Sequence, residues 1–394
     1  MNKKTSIIVL IVLALVLSYF FTNNSANKKP SINIDKDTVS SPYNDNEQRN
    51  EITSSQKLSV NVKSSPFNAK GDGKTDDTKA IQSAIDQVSN SGGGTISLPI
   101  STYRITKTIY IPDNIMLVGL SQGKNGSVIQ NESKGFAFQT IGSHKRINIE
   151  NLRVELNGKN NGIHLGDVSS KLNKDVIPGE MGLRHITVGG IGKEKIGIKI
   201  SNASHVNMLD VRSGYGKTTG GHGLFIFADK YNSGVSVAYD CTFGRVDATT
   251  VGLEIDGSVN LDTFTFNGCY FGGELPIRIG LNTHVRNVNF IGTHIEARDK
   301  NKANPNTKMV ELYNVLASNF IGVSLIGFGE TDNRGFVFKG DVEKVNIMGV
   351  EANGVMGAIY ANERKEEIDS DSLLQKARLT NGSNAVQFKG NFNK

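Results

Sequence analysis

From about residue 95 onward, apolar and polar positions alternate in short runs broken by glycine and asparagine, the period-2 pattern of half-buried β-strands. The runs come in pairs. Ile147-Asn-Ile-Glu-Asn-Leu-Arg-Val-Glu-Leu156 precedes Gly162-Ile-His-Leu-Gly166, and Leu183-Arg-His-Ile-Thr-Val188 precedes Ile196-Gly-Ile-Lys-Ile200. Further on, Asp262-Thr-Phe-Thr-Phe266 precedes Pro276-Ile-Arg-Ile279. Gly268, Gly292, Gly322 and Gly349 stand at corresponding points of the later pairs, at intervals of 24, 30 and 27 residues. Such a period predicts one coil per unit with loops of unequal size. No unit can bury its apolar side alone, so the units must stack, with inward side chains in columns and polar ones outside.

Ahead of the repeats the period changes to that of a helix. Ala80, Ile81, Ala84, Ile85 and Val88 share one helical face, entered through Gly71-Asp-Gly73 and closed by Gly92-Gly-Gly94. The glycines allow a sharp turn, and Thr75, Asp76 or Asp77 can accept from the unpaired N–H groups at the helix start. Asp72, Asp76 and Asp77 are therefore read as turn and cap residues, not as a metal or catalytic group.

The stretch Gly71-Asp-Gly-Lys-Thr-Asp-Asp-Thr-Lys-Ala-Ile-Gln82 resembles the N-terminal cap of pectate-lyase-like right-handed parallel β-helix proteins, and the likeness runs from Phe67 to Val128. It implies an all-β, right-handed parallel β-helix over residues 58–394, with an amphipathic capping helix within 67–94. The family resemblance implies no single reaction, since it covers lyases, hydrolases, epimerases, viral tail depolymerases and proteins without known activity.

Met1-Asn-Lys-Lys4 followed by the apolar run Ile7 to Phe21 has the layout of a secretory signal or an uncleaved signal anchor, here assigned to residues 1–26. Residues 27–57 are rich in Asn, Ser, Asp, Glu and Lys and too poor in apolar residues to offset the entropy of ordering, so they read as a disordered tether. The expected location is outside the cell, secreted or held at the surface, with membrane contact only through the first segment.

Composition narrows the partners. The net charge of +6 is mild and carries no dense Lys/Arg stripe, which argues against nucleic acid and suits an anionic polysaccharide. Cys241 and Cys269, the only 2 cysteines, both lie in strand-like runs. They are expected at equivalent inward positions of neighbouring coils as free thiols, with a disulfide as the lesser alternative. Monomer and trimer both remain open, since no heptad pattern decides between them.

Within the resemblance, binding and catalysis use side chains on one lateral face. Glu274 and Glu296 are expected at nearly matching places in adjacent coils, which lie about 4.8 Å apart, a closeness that suits a retaining carboxylate pair; Glu254 is the third catalytic candidate. Arg278, Arg298, Asp256 and His222 are the candidate substrate contacts. Gly221-His-Gly223 and Arg278-Ile-Gly280 resemble the Gly-His-Gly and Arg-Ile-Lys elements of polygalacturonase-type hydrolases. Asp210 stands alone where that family has paired aspartates, and Gly280 replaces the lysine, so His222 is kept out of the catalytic set. Glu254, Asp256 and Asp262 are close enough in sequence to suggest oxygen ligands for calcium of the pectate-lyase kind, and no other metal is indicated. The expectation is a polysaccharide-cleaving or -modifying enzyme, with glycoside hydrolysis ranked ahead of elimination. Its alternatives are a non-catalytic adhesive β-helix binding glycan through residues such as Asn267, Tyr270 and Tyr313, and a uronate C5-epimerase.

Overall fold

The computed structural model describes residues 57–140, 145–166, 179–215, 220–229, 239–242, 244–247, 250–297, 308–327, 334–353, 359–361, 364–365, 376–378 and 385–392. The expected signal or anchor, almost all of the expected tether, and Arg298 lie outside these residues. Among the described residues no helix is long and apolar enough to cross a membrane.

Alternating residues make strands, and the strands stack in register as a parallel β-solenoid. Among the described residues, hydrogen bonding groups them into a 20-stranded and an 11-stranded sheet. The larger sheet is two faces joined where single long strands, Lys145–Glu155, Gly179–Gly189, Val206–Tyr215 and Val342–Asn353, run round the corner. One coil shows the order. Leu261–Asn267 lies on the first face, Tyr270–Gly273 on the second and Leu275–Ile279 on the third, after which Val285–Ile291 returns to the first. Leu261 pairs with Val285, Val285 with Val315 and Val315 with Val342, so the coil lengths equal the 24-, 30- and 27-residue glycine intervals.

The corner between the first and second faces explains those glycines. Its backbone enters the left-handed region at Asn151, His185 and Asp210 in earlier coils and at Gly268, Gly292, Gly322 and Gly349 in later ones. Glycine takes that conformation without steric cost, and short polar residues tolerate it.

Inside, the alternation becomes columns. Phe266, Phe290 and Phe320 are register partners, fully buried, and their rings stack at 5.0 and 4.8 Å. On the third face Ile200, Ile226, Ile255, Ile279 and Leu312 form a parallel inward column. Burying each such side chain stabilises the fold by about 1.5–3 kcal/mol, and a stacked aromatic pair adds about 0.5–1.5 kcal/mol.

The single described helix, α1 (Thr78–Asn90), buries Ile81, Ala84, Ile85 and Val88 against Leu58–Asn61, Gly94–Leu98 and Ile109–Ile111. Asp76 accepts the Thr78 N–H at 3.0 Å from just ahead of the helix, while Asp77, which stands at the N-cap position, makes no side-chain cap hydrogen bond. Asp77 faces the other way, and its carboxylate accepts the N–H groups of Lys70 (2.6 Å) and Gly71 (2.9 Å). Asp72 closes its own turn on the N–H groups of Lys74 and Thr75.

The cysteines differ from expectation in register. Cys241 pairs with Phe266, while Cys269 follows the corner at Gly268. The corner turns Cys269 back toward its neighbour, so the two buried free thiols lie 3.4 Å apart without being equivalent residues.

Candidate functional site

The third face brings together most of the candidate residues. Its central outward row runs, strand by strand, through His164, Lys199, Phe225, Glu254, Arg278 and Glu311. Each step is one strand spacing, about 4.8 Å. Inward neighbours on both sides of each residue anchor these strands in the core, so the row is rigidly spaced.

At the centre, Glu254 (7% exposed) sits between His222 and Arg278. His222 Nε2 lies 2.6 Å from one carboxylate oxygen and Arg278 Nη1 lies 3.4 Å from the other. Burial pushes the Glu254 carboxyl upward, but the hydrogen bond and charge of His222, with the charge of Arg278, outweigh it and hold it below the ordinary range. The Nε2 contact leaves His222 Nδ1 without a hydrogen bond among the described residues. The His222 ring also packs on Phe225 at 5.6 Å, fixing its plane.

The row continues to Glu311, which is buried on the far side of Arg278, with Arg278 Nε 3.5 Å from its carboxylate. Lys308 Nζ is 2.9 Å and Lys339 Nζ 3.8 Å from the other Glu311 oxygen. Tyr313 donates to Glu311 at 3.4 Å, and Lys339 lies over its ring at 5.4 Å. Burial, and then the Glu311 charge, raise the Tyr313 phenol above its usual value. The whole is an interlocked strip of two buried carboxylates and three fixed cations.

Of the residues expected from the sequence, the structure brings Glu254, Arg278 and His222 together. Asp256 lies on the same strand, two residues on from Glu254, and its carboxylate is taken up by the N–H of Asn282 (2.8 Å) and its side-chain amide (2.6 Å). Glu274 is exposed where the second face gives way to the third. Glu296 is on the second face beside His294, and its register partner is Gly272, not Glu274. Arg298 lies outside the described residues.

The suggested calcium trio does not converge, because Asp262 lies on the first face, hydrogen-bonded to Asn287. Among the described residues no group of three or more His, Cys, Asp or Glu is placed to hold a metal ion. Sequence reasoning missed Glu311, Lys308 and Lys339. Their signal was the row itself, which steps from Arg278 to Glu311 over 33 residues, against 24 from Glu254 to Arg278.

The family described as "Rhamnogalacturonase A/epimerase, pectate lyase-like" matches residues 59–290 of the chain. The chain belongs to this family. That match includes His222, Glu254 and Arg278 and ends before Lys308, Glu311 and Lys339. Over 74 residues, 17% of this chain, it is 45% identical to "Alginate lyase 7" and 40% identical to "Mannuronan C5-epimerase AlgE3", both from Azotobacter vinelandii. It spans only 8% and 4% of those relatives' lengths. The fold is that of the tailspike protein 2 enzymatically active domain of bacteriophage CBA120, with a TM-score of 0.53 and 16% identity over 74% of this chain and 44% of that one.

Proposed function

We propose that the protein acts on a uronate-containing polysaccharide by removing the proton next to the uronate carboxyl group, leading to elimination or to C5 epimerisation. The observation that carries this reading is the His222–Glu254–Arg278 arrangement across three neighbouring strands. Glu254 fixes the imidazole with Nε2–H donating to it, so Nδ1 presents the basic lone pair. Arg278, held against the same carboxylate, is placed to receive the uronate carboxylate and to stabilise the enolate-like charge that develops on it. Lys308 and Lys339 extend the positive strip toward the next sugar.

The proton passes from C5 to His222. In elimination, the C4–O bond then breaks, a C4=C5 double bond forms and the departing oxygen takes up a proton. In epimerisation, a proton returns to the opposite face of C5. Hydrolysis fits less well. It needs one carboxyl protonated across the scissile bond from an ionised one, whereas Glu254 is held ionised and the Arg278 guanidinium fills the space between Glu254 and Glu311. The alginate lyase and mannuronan epimerase likenesses support the polyuronate class. We place the activity outside the cell on the strength of the Lys3, Lys4 and Ile7 to Phe21 pattern.

The test is incubation with polymannuronate, alginate and polygalacturonate in deuterated buffer. Unsaturated-uronate absorbance reports elimination, and deuterium at C5 by NMR reports proton abstraction. The expected result is one or both signals, abolished in His222→Gln with the circular dichroism unchanged. New reducing ends without unsaturation or exchange make it a hydrolase, and retention of a glycan with no chemistry makes it an adhesive protein; either result overturns the proposal.

A further inference from the structure

Upstream of Glu254, the same outward row carries a second feature that the proton-abstraction reading does not use. Lys199 is half-buried on the strand Ile196–Ser201, and its ammonium lies over the rings of Phe225 (5.6 Å) and Phe227 (5.4 Å). Those rings are themselves partly exposed on the outer side of their strand, 5.6 Å apart, where polar residues are the rule. Among the described residues no carboxylate pairs with Lys199. The nearest candidate, Asp229, is instead held by Asn202, whose amide donates to it at 2.8 Å while accepting the Asp229 N–H at 2.8 Å.

The neighbour in the row, His164, does not substitute for a partner. Its ring packs on Phe136 at 4.8 Å and its Nε2 meets the Ser201 hydroxyl at 2.8 Å. Burial, and then the charge of Lys199, lower its pKa to about 3, so it is neutral beside the lysine. Burial also draws the Lys199 ammonium below its usual value, an effect that the charge of Asp229 only partly opposes.

Building on the proposed polyuronate activity, we infer that Lys199 is a second carboxylate-binding position, so that the polymer lies along the solenoid axis and touches both Lys199 and Arg278. Lys199 pairs with Phe225, Phe225 with Glu254 and Glu254 with Arg278. Three strand spacings separate the two cations, about 14 Å. Glu254 lies between them but is buried under His222, so its charge is not presented to a chain passing above. Phe225 and Phe227 offer apolar faces to the C–H sides of the intervening sugar rings. A short oligomer engages only the Arg278 end; a long one engages both.

The experiment measures calorimetric affinity of the full-length protein for alginate trisaccharide and octasaccharide, in wild type, Lys199→Met and Lys199→Arg. Hydrogen bonds between charged groups are strong enough that Lys199→Met should weaken octasaccharide binding about ten- to a hundredfold. Trisaccharide affinity should stay within about twofold, and Lys199→Arg should restore most of the octasaccharide affinity. Equal affinities for wild type and Lys199→Met at both lengths, or an equal loss at both, overturn the inference and leave the proposed activity standing. Failure of the wild type to bind either oligomer overturns the functional reading, and this one with it.

Discussion

Replacing Glu254 by glutamine keeps the side-chain shape and removes its charge. Its two oxygens face His222 Nε2 at 2.6 Å and Arg278 Nη1 at 3.4 Å, and the residue is 7% exposed. A hydrogen bond to an ionised group contributes about 1.5–3 kcal/mol against about 0.5–1.5 kcal/mol for a neutral one. One close and one long contact therefore put the cost of Glu254→Gln at about 1–2 kcal/mol near neutral pH. Arg278 keeps Glu311 as a neighbour at 3.5 Å, which holds the loss below the roughly 3–5 kcal/mol of a buried ion stripped of its only partner.

The pH dependence has a definite sign. In the fold the Glu254 carboxyl is held below its ordinary value of 4.5. Its contribution is therefore fully present above that value and is lost as the pH falls through the lower folded one. The gap between wild type and Glu254→Gln should be constant from neutral pH down to this window and then close. Urea unfolding followed by circular dichroism at a series of pH values measures it. A gap under about 0.5 kcal/mol at neutral pH, the range of ordinary surface changes, would refute the reasoning, as would a gap that persists unchanged into strong acid. Because Glu254 positions His222, the same variant should also lose turnover on polyuronate by about 10²-fold or more.

Phe290→Ala removes the middle ring of the Phe266–Phe290–Phe320 stack and should destabilise by about 3–5 kcal/mol, read as a lower urea midpoint; a loss under 1 kcal/mol would mean the column repacks freely. His164, with its pKa lowered to about 3, stays neutral where the unfolded chain takes up a proton, so it makes the protein less stable as the pH falls from about 6.5 toward 3. His164→Gln should flatten that acid slope by up to one proton, and an unchanged slope would show that the buried ring is not the group responsible. Cys241 and Cys269 should resist a thiol reagent in the folded protein and both react after denaturation; fast labelling of either in native conditions would contradict their burial.

Much of this fold was legible because its determinants are local. The helix face of Ile81, Ala84, Ile85 and Val88 follows from a 3.6-residue period, and the coil length follows from Gly268, Gly292, Gly322 and Gly349, whose backbone conformation few other residues adopt. The same glycines show why Glu274 and Glu296 do not match. Glu274 lies 6 residues after its corner glycine and Glu296 only 4 after its own, so their strands carry them to different points of the coil. Glu254 and Arg278 were within reach because a 24-residue step separates them, the same as the Gly268 to Gly292 interval. Glu311 was not, because its 33-residue step from Arg278 departs from that interval, and only the pairing of strands shows that the row continues. Lys199 carries no motif. What distinguishes it, two phenylalanines from the next strand beneath its ammonium, exists only once Phe225 is set beside it.

The corner glycines also make the chain divisible. Removing residues 268–291 would join Asn267 directly to Gly292, so the same left-handed corner would follow the same first-face strand. Val315–Ile321 would then pair with Leu261–Asn267, and the inward columns would close over one missing layer. The outer row would fare differently, for Arg278 would be gone and Glu311 would come to rest beside Glu254, two carboxylates facing each other with nothing between. The scaffold is thus editable one coil at a time, while the chemistry written across it belongs to several coils at once and does not survive the cut.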